Sequence, residues 1–405
     1  MNTSGLTFTS RHRFRPSLGG LLVLFGMVVL PAMAANANAA STRIPLTADH
    51  WETVDGTTFT ERDGRSVIEV TKGVAVLKDL TFRDGTIEYD IEALGPMGAG
   101  LGFRRRDDQT YEDFYLRPHA KCSEAPDCIQ YAPETHGVLL WDMFPQYQSP
   151  APLTDSGWQH IKMVISGRRM NIYVNHAASP SLTIGRLEGD TEEGSIFLEG
   201  PGAFANLTVT PDATDGLTPE PEKDSTDADN RYLRDWQMAP PTPFAADHQP
   251  SLSEVAGPKQ EWRSVHAERN GVVNLSRIYG LDNGLDKSQG GARKGGQFIW
   301  LKTDLVSTKD QTKKVSLGWT RMVWIFVNGK QVFADKNLYQ PPDARKNPDG
   351  RLSLENASFD LPLKKGKNVI SVGLANNFYS WGVTMRLDDT NGLQLSTPAN
   401  TMARK

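Results

Sequence analysis

Apolar and polar residues alternate with a period of two along most of this chain. Ile161, Met163 and Ile165 are interleaved with Lys162, Val164 and Ser166. After Gly167-Arg168-Arg169 the alternation resumes, with Met170, Ile172 and Val174 set against Asn171, Tyr173 and Asn175. Two alternating runs about a glycine turn predict an antiparallel hairpin, because period two sends one set of side chains to a core and the other to water. Short runs at 66–70, 85–91, 101–105, 114–117, 138–141 and 195–198 predict further strands, and no stretch keeps a helical period over three turns. The expectation for residues 41–210 is a β-sandwich.

Residues 211–230 break the pattern. They carry seven acids, one lysine, three prolines and one large aliphatic residue, Leu217. Such a segment has too little apolar surface to offset its ordering entropy, and proline and like charge extend it, so it reads as a semi-extended linker that holds two domains apart. Alternation returns over 231–395. Val315 to Val327 and Gln331-Val332-Phe333 flank Asn328-Gly329, a strong hairpin signal. Leu361 to Leu363, Asn368 to Leu374 and Val383 to Leu387 add strands, and 396–405 reads as a frayed tail. The fold class expected is all-β, two jelly-roll sandwiches joined by an acidic, proline-containing linker. Its length, 405 residues, suits two such domains.

The first forty residues read as an address. Arg11, Arg13 and Arg15 precede an apolar run from Leu18 to Leu30, and Ala32-Met33-Ala34 follows Pro31. A basic region, a short apolar run and an A-x-A site form a secretory signal peptide, and the run is shorter than the roughly twenty residues of a membrane span. The expectation is a secreted or periplasmic protein with no membrane span after cleavage. The formal net charge of −4 includes three arginines of that leader, so the remainder is more acidic and lacks the basic footprint of a nucleic-acid partner. Cys122 and Cys128 are the two cysteines. In an oxidising compartment they are expected to form a disulfide. His119 and His136 beside them permit a zinc reading, but C-x5-C is not a knuckle spacing.

The stretch Phe82-Arg-Asp-Gly-Thr-Ile-Glu-Tyr-Asp-Ile91, with Gly100-Leu-Gly-Phe-Arg104, Trp158 to Gly167, Asn171-Ile-Tyr-Val-Asn175 and Ala203-Phe-Ala-Asn-Leu207, resembles a concanavalin A-like (laminin-G-like) jelly roll. The second region, on Val323 to Lys330, Leu361 to Asn368 and Phe378-Tyr-Ser-Trp-Gly382, resembles the galactose-binding-like jelly roll of bacterial exported proteins. These resemblances imply carbohydrate binding first, since such sandwiches host lectins, adhesion modules and glycosidases alike. The expected partner is a polysaccharide or glycoconjugate. No cofactor is expected, and the structural calcium common in the second family would lack an acidic loop of convincing spacing here.

Two constellations are candidates for chemistry. Tyr111 to His119 alternates so that Tyr115 and Arg117 share a face opposite Phe114 and Leu116, with Arg104 on an adjacent strand and Gln130, Tyr131 and Trp141 on segments that follow. Sugars need flat aromatic faces for their C–H surfaces and planar polar groups for paired hydroxyls. Tyr115, Tyr131 and Trp141 are the expected platform on the concave face of the first sandwich, and Arg104, Glu112, Arg117 and Gln130 the expected hydrogen-bonding groups. The bland alternative is aromatic packing with an Arg–Asp bridge. The other constellation is Glu88-x-Asp90-x-Glu92, which resembles the catalytic strand of laminarinase-type glycosidases and would make Glu88 the nucleophile and Glu92 the acid/base, with Asp90 between. Its bland reading is the solvated side of a strand whose Ile87, Tyr89 and Ile91 face the core. A binding protein is therefore expected ahead of a glycoside hydrolase or keto-sugar hydrolase, with a surface protein-interaction module as a further alternative. In the second region Asn337, Tyr339, Asn376, Asn377, Tyr379 and Trp381 fall near expected loop ends, where galactose-binding-like modules take ligands.

Overall fold

A computed structural model of the protein describes residues 40–95, 98–245, 249–254, 261–280, 285–286 and 292–395. The expected leader, except its last residue, and the expected tail 396–405 lie outside the described residues.

The alternation becomes two antiparallel sandwiches. In the first, one sheet runs in the order Leu182–Ile184, Arg169–Val174, Gln159–Ser166, Gly85–Ala93, Gly202–Pro211, Arg65–Val70 and Thr57–Arg62, with Thr42–Arg43 added on Gly202–Pro211. It is called the outer sheet here. The facing sheet, the seam sheet, runs Val138–Leu139, Ile129–Thr135, Thr110–Leu116, Ala99–Asp107, Ser195–Glu199, Val74–Leu77 and Trp51–Thr53. Between them lie Ile87, Tyr89, Ile91, Ile161, Met163, Ile165, Met170 and Ile172, all buried, in the alternate positions that period two demands. The hairpin pairs Ile161 with Val174 and Ser166 with Arg169, and Gly167 turns it with φ +51°. A side chain there would also strike the Pro219 carbonyl.

In the second sandwich the larger sheet runs Arg263–His266, Asp235–Met238, Ala292–Ser307, Gly366–Phe378, Arg321–Val327 and Lys330–Asn337, with shorter strands on Ala292–Ser307. The smaller runs Val272–Asn274, Gly382–Leu387, Gln311–Trp319 and Ala357–Leu363. Asn328 and Gly329, at φ +50° and +88°, form the hairpin turn expected of that pair. The run Val315 to Val327 is not one strand. It breaks at Thr320 into strands of opposite sheets, and Arg321 at φ +70° makes the corner.

The acidic segment 211–230 joins the sandwiches but does not hold them apart. It lies along the outer sheet: Arg168 N donates to the Pro219 carbonyl at 3.0 Å, Glu222 N to Gly185 at 2.8 Å, and Lys162 pairs with Asp215 at 2.7 Å. Its order comes from hydrogen bonds to a surface elsewhere in the chain, so its own composition gave no sign of it.

The sandwiches then pack directly. Tyr115, Ala132 and Trp141 of the first cluster with Tyr339, Phe378 and Tyr379 of the second. Beside them Asp142 pairs with Arg321, both essentially without exposure, and Arg321 Nε donates to the Phe378 carbonyl at 2.8 Å. Leu352 N donates to the Asp142 carbonyl at 2.8 Å, and Arg277 reaches Asp190 and the Glu188 carbonyl. Removing one member of a buried pair leaves a charge without compensation. Asp142→Ala is expected to lower the urea midpoint by about 3–5 kcal/mol in unfolding free energy, with Asp142→Leu/Arg321→Met recovering most of it. A midpoint unchanged in Asp142→Ala would show that the pair does not hold the seam.

Candidate functional site

The seven residues expected to form a sugar platform divide into two groups. Arg104, Glu112 and Tyr131 lie inside the first sandwich. Arg104 has φ +50°, so its side chain leaves the regular alternation and binds Asp84 at 2.9 Å and the Arg83 and Gly167 carbonyls at 2.8 Å. Tyr131 donates to Glu112 Oε2 at 2.6 Å and accepts from Glu188 N at 2.7 Å. Burial pushes the Glu112 carboxyl up to about 7, against the opposing pull of the Tyr131 hydrogen bond and the Arg104 and Arg168 charges.

Tyr115, Arg117, Gln130 and Trp141 do come together, on the outward face of the seam sheet. Gln130 Oε1 accepts from the Tyr115 hydroxyl at 2.9 Å and from Arg117 at 3.0 Å, and Gln130 Nε2 donates to the Trp141 carbonyl at 2.7 Å. This face is covered. The Trp141 ring meets Tyr339 edge-on at 4.9 Å and Tyr379 at 5.8 Å, and the Arg351 guanidinium lies 5.1 Å from its centre. Trp141 therefore has no free face for stacking a pyranose ring. The expected strand over 138–141 ends at Leu139, and Trp141 projects from the following turn.

Of the loop-end candidates, Tyr339 and Tyr379 supply this cover. Asn337 and Asn376 are buried and hold backbone: Asn337 donates to the Trp319 carbonyl at 2.7 Å, and Asn376 to the Ser380 carbonyl at 2.9 Å. Trp381 is a core residue, and Asn377 is exposed. Cys122 and Cys128 form the expected disulfide, Cα atoms 5.4 Å apart. With both sulfurs bonded to each other, neither is a thiolate ligand, although His119 Nε2 lies 3.2 Å from Cys128 Sγ. Acids of the joining segment are taken up by arginines, Asp229 by Arg231 and Arg386, and Asp224 by Arg234.

The other face of the first sandwich is open. Glu88, Asp90 and Glu92 point outward from Gly85–Ala93 while Ile87, Tyr89 and Ile91 are buried, and the register sets Glu88 beside Lys162 and Asp90 beside His160. Two of the three acids are ion-paired, while Glu88 faces a lysine whose ammonium is bonded to Asp215. Glu92 binds Arg62 at 2.5 Å. Asp90 Oδ1 lies 2.9 Å from His160 Nδ1, and Asp90 Oδ2 accepts from Asn206 at 2.6 Å and faces Arg65 at 3.3 Å. Burial alone would raise Asp90, but the His160 and Asn206 hydrogen bonds and the nearby positive charges outweigh it and hold the carboxyl below its usual value. Asp90 is thus ionised at neutral pH and has no proton to donate.

Aromatic rings lie among these charges. Trp158 carries Arg62 and Arg65 at 5.3 and 5.8 Å from its ring centre, and Lys162 stands 5.7 Å from that of Tyr173. His160 stacks on His176 at 4.1 Å, because Asn175 and His176, at φ +50° and +59°, fold the chain back over the sheet. A recess of about 250 Å³ opens between Glu88, His160, Lys162, Tyr173, His176 and Asp215. A second, about 300 Å³, opens beside Arg43, Ser66 and Asn206. Asp90 stands between them, one oxygen toward His160 and the other toward Asn206. None of Trp158, His160, Tyr173 or His176 was singled out from the sequence. The available signal was that outward positions on the 159–166 and 169–174 strands must lie beside the outward acids.

Compared with known protein families and with curated proteins, the chain finds no match. Among solved structures, a carbohydrate-binding module from Bacillus subtilis is 21% identical over 40% of this chain and 91% of its own, with a TM-score of 0.28. A Bacillus subtilis protein of galectin-like fold is 16% identical over 42% and 94%, at 0.31. A β-glucosidase from Kluyveromyces marxianus is 14% identical over 40% and 16%, at 0.25. Superpositions at this level transfer no function.

The Glu112 carboxyl has a measurable consequence. Its folded-state value lies above the unfolded 4.5, so the folded protein binds the extra proton and stability falls as pH rises from about 4.5 to about 7. Glu112→Gln is expected to remove this slope. Urea midpoints at about pH 5 and about pH 8 should show wild type losing on the order of 3 kcal/mol relative to the variant across that window. Parallel pH curves would show that Glu112 does not titrate there.

Proposed function

We propose that this protein binds glycans, and that the open outer sheet of its first sandwich is the recognition surface. The observation that carries the proposal is the band of rings at the surface, partly buried Trp158, His160 and Tyr173 with exposed His176, set among the ion pairs Asp90–Arg65, Glu92–Arg62 and Lys162–Asp215, beside Glu88, and flanked by two recesses. A sugar presents an apolar C–H face and pairs of hydroxyls, which flat rings and planar, pre-oriented polar groups match. The ion pairs fix the polar groups before a ligand arrives, which lowers the ordering cost of binding. Recesses on either side of Asp90 suit a ligand of more than one sugar unit. The concave-face site expected on the seam sheet is filled by the second sandwich, so the recognition surface moves to the opposite sheet.

Hydrolysis through Glu88 and Glu92 is not favoured. Four positions apart on one strand, they are separated by about 13 Å. Paired glycosidase carboxyls stand about 5–5.5 Å apart in retaining enzymes and about 6.5–9.5 Å in inverting ones. The leader-like first forty residues support an exported protein, and among the described residues no helix is long and apolar enough to cross a membrane.

Affinity electrophoresis of the full chain through gels containing single polysaccharides, stained afterwards for polymer, tests this reading. Retarded migration with intact polymer is expected, and Trp158→Ala or Tyr173→Ala should weaken it about tenfold, the loss of one stacked ring. Retardation equal in both variants would remove the outer sheet as the site. A cleared zone beneath the band would replace binding with hydrolysis, and no retardation on any polymer would favour a protein partner.

A further inference from the structure

Among the described residues, three arginines have side chains almost wholly out of water: Arg104, Arg321 and Arg351. The first two are each bonded to a carboxylate, Asp84 and Asp142. Arg351, only 2% exposed, is different. Its nearest acid among the described residues is Asp349 at 4.0 Å, itself more than half exposed, and its Nε has no hydrogen-bond partner. It lies over Trp141 and near Tyr115 and Tyr339. A buried guanidinium without a bonded acceptor is costly, and a native fold keeps one where something else supplies the acceptor.

A second cation adjoins it. Arg117 is half-buried, stacks 4.7 Å from the Tyr115 ring centre, and bonds only neutral acceptors: the Asp127 carbonyl at 2.7 Å, Gln130 Oε1 at 3.0 Å and the Tyr115 hydroxyl at 3.1 Å. Arg345 lies 4.5 Å from the Tyr339 ring centre and bonds the Tyr339 carbonyl. Among the described residues none of these three arginines has a carboxylate within hydrogen-bond reach. Like charges repel, so drawing Arg117 and Arg351 together on one aromatic patch favours an anion between them.

We infer that the seam between the sandwiches, at Arg117 and Arg351, is an anion site that takes the carboxylate of a sugar acid. Guanidinium forks match a planar carboxylate bidentately. Partly buried Tyr339 offers apolar surface to a sugar ring edge beside them, while buried Gln130 and the Tyr115 hydroxyl hold the Arg117 guanidinium in place. The site is separate from the outer sheet, and it stands or falls independently of glycan binding there.

The test is thermal unfolding of the full chain with galacturonate, with galactose, and with sulfate at matched ionic strength. Galacturonate is expected to raise Tm, galactose to leave it unchanged, and the increment to vanish in Arg351→Met and shrink in Arg117→Gln. Arg351→Met also separates binding from folding. With no ligand added it should unfold at the same temperature as wild type or higher, because it removes an uncompensated buried charge while keeping most of the volume over Trp141. A lower Tm for ligand-free Arg351→Met would make Arg351 a structural stack and overturn the site. No increment with galacturonate would also overturn it, and an equal increment with sulfate would overturn the carboxylate assignment. Retardation of wild type by neutral polysaccharide in the preceding experiment does not depend on any of these results.

Discussion

The charge of Arg321, buried against Asp142 at the junction of the two sandwiches, is the constraint around which the rest is arranged. Neither group reaches water, so each is tolerable only while the other is in place. Arg321 is also the corner at which the chain passes from the smaller sheet of the second sandwich to the larger, and Asp142 follows the tryptophan that the second sandwich covers. One ion pair thus ties a strand junction in one domain to a turn in the other. With Leu352 bonded to the Asp142 carbonyl and Arg277 reaching Asp190, the sandwiches share a packed boundary and not a hinge.

That boundary decides which surfaces remain for function. A sandwich has two outward sheet faces, and the second domain takes one of them. What the seam sheet presents outward, Tyr115, Gln130 and Trp141, is spent largely on the other domain, leaving an edge where Arg117 and Arg351 meet. The outer sheet keeps its charged and aromatic residues partly in water, with Asp90 and Glu92 matched to arginines across strands. The two faces have similar residue types and different fates, and the difference lies in what packs against them.

Much of the fold was legible because period two is a local property. The 161–174 hairpin, the Asn328-Gly329 turn and the inward set Ile87, Tyr89 and Ile91 follow from neighbours in sequence, and the structure has all three. Long-range effects were not legible. The joining segment 211–230 has a disordered composition, yet it is ordered by carbonyls and amides of residues such as Arg168 and Gly185. The run 315–327 has the alternation of one strand, and only the positive φ of Arg321 divides it between sheets. The candidate site was half legible for the same reason. Alternation sets Tyr115 and Arg117 on one face, and the structure brings Gln130 and Trp141 beside them, but no pattern within residues 104–141 announces a cover made of Tyr339 and Tyr379. Arg104 was misplaced because alternation assumes a regular backbone, which its φ of +50° is not.

The way the joining segment lies down has a consequence for how the protein withstands proteolysis. An acidic, proline-bearing stretch between domains is ordinarily where a protease cuts, since cleavage needs several residues drawn out into an extended conformation. Here Arg168 and Gly185 hold its backbone through Pro219 and Glu222, and Lys162 holds its Asp215 side chain, so presenting that stretch to an enzyme means first peeling it from the outer sheet. The crossing between domains, by composition the weakest point of the chain, is thereby given the durability of the sandwich beneath it.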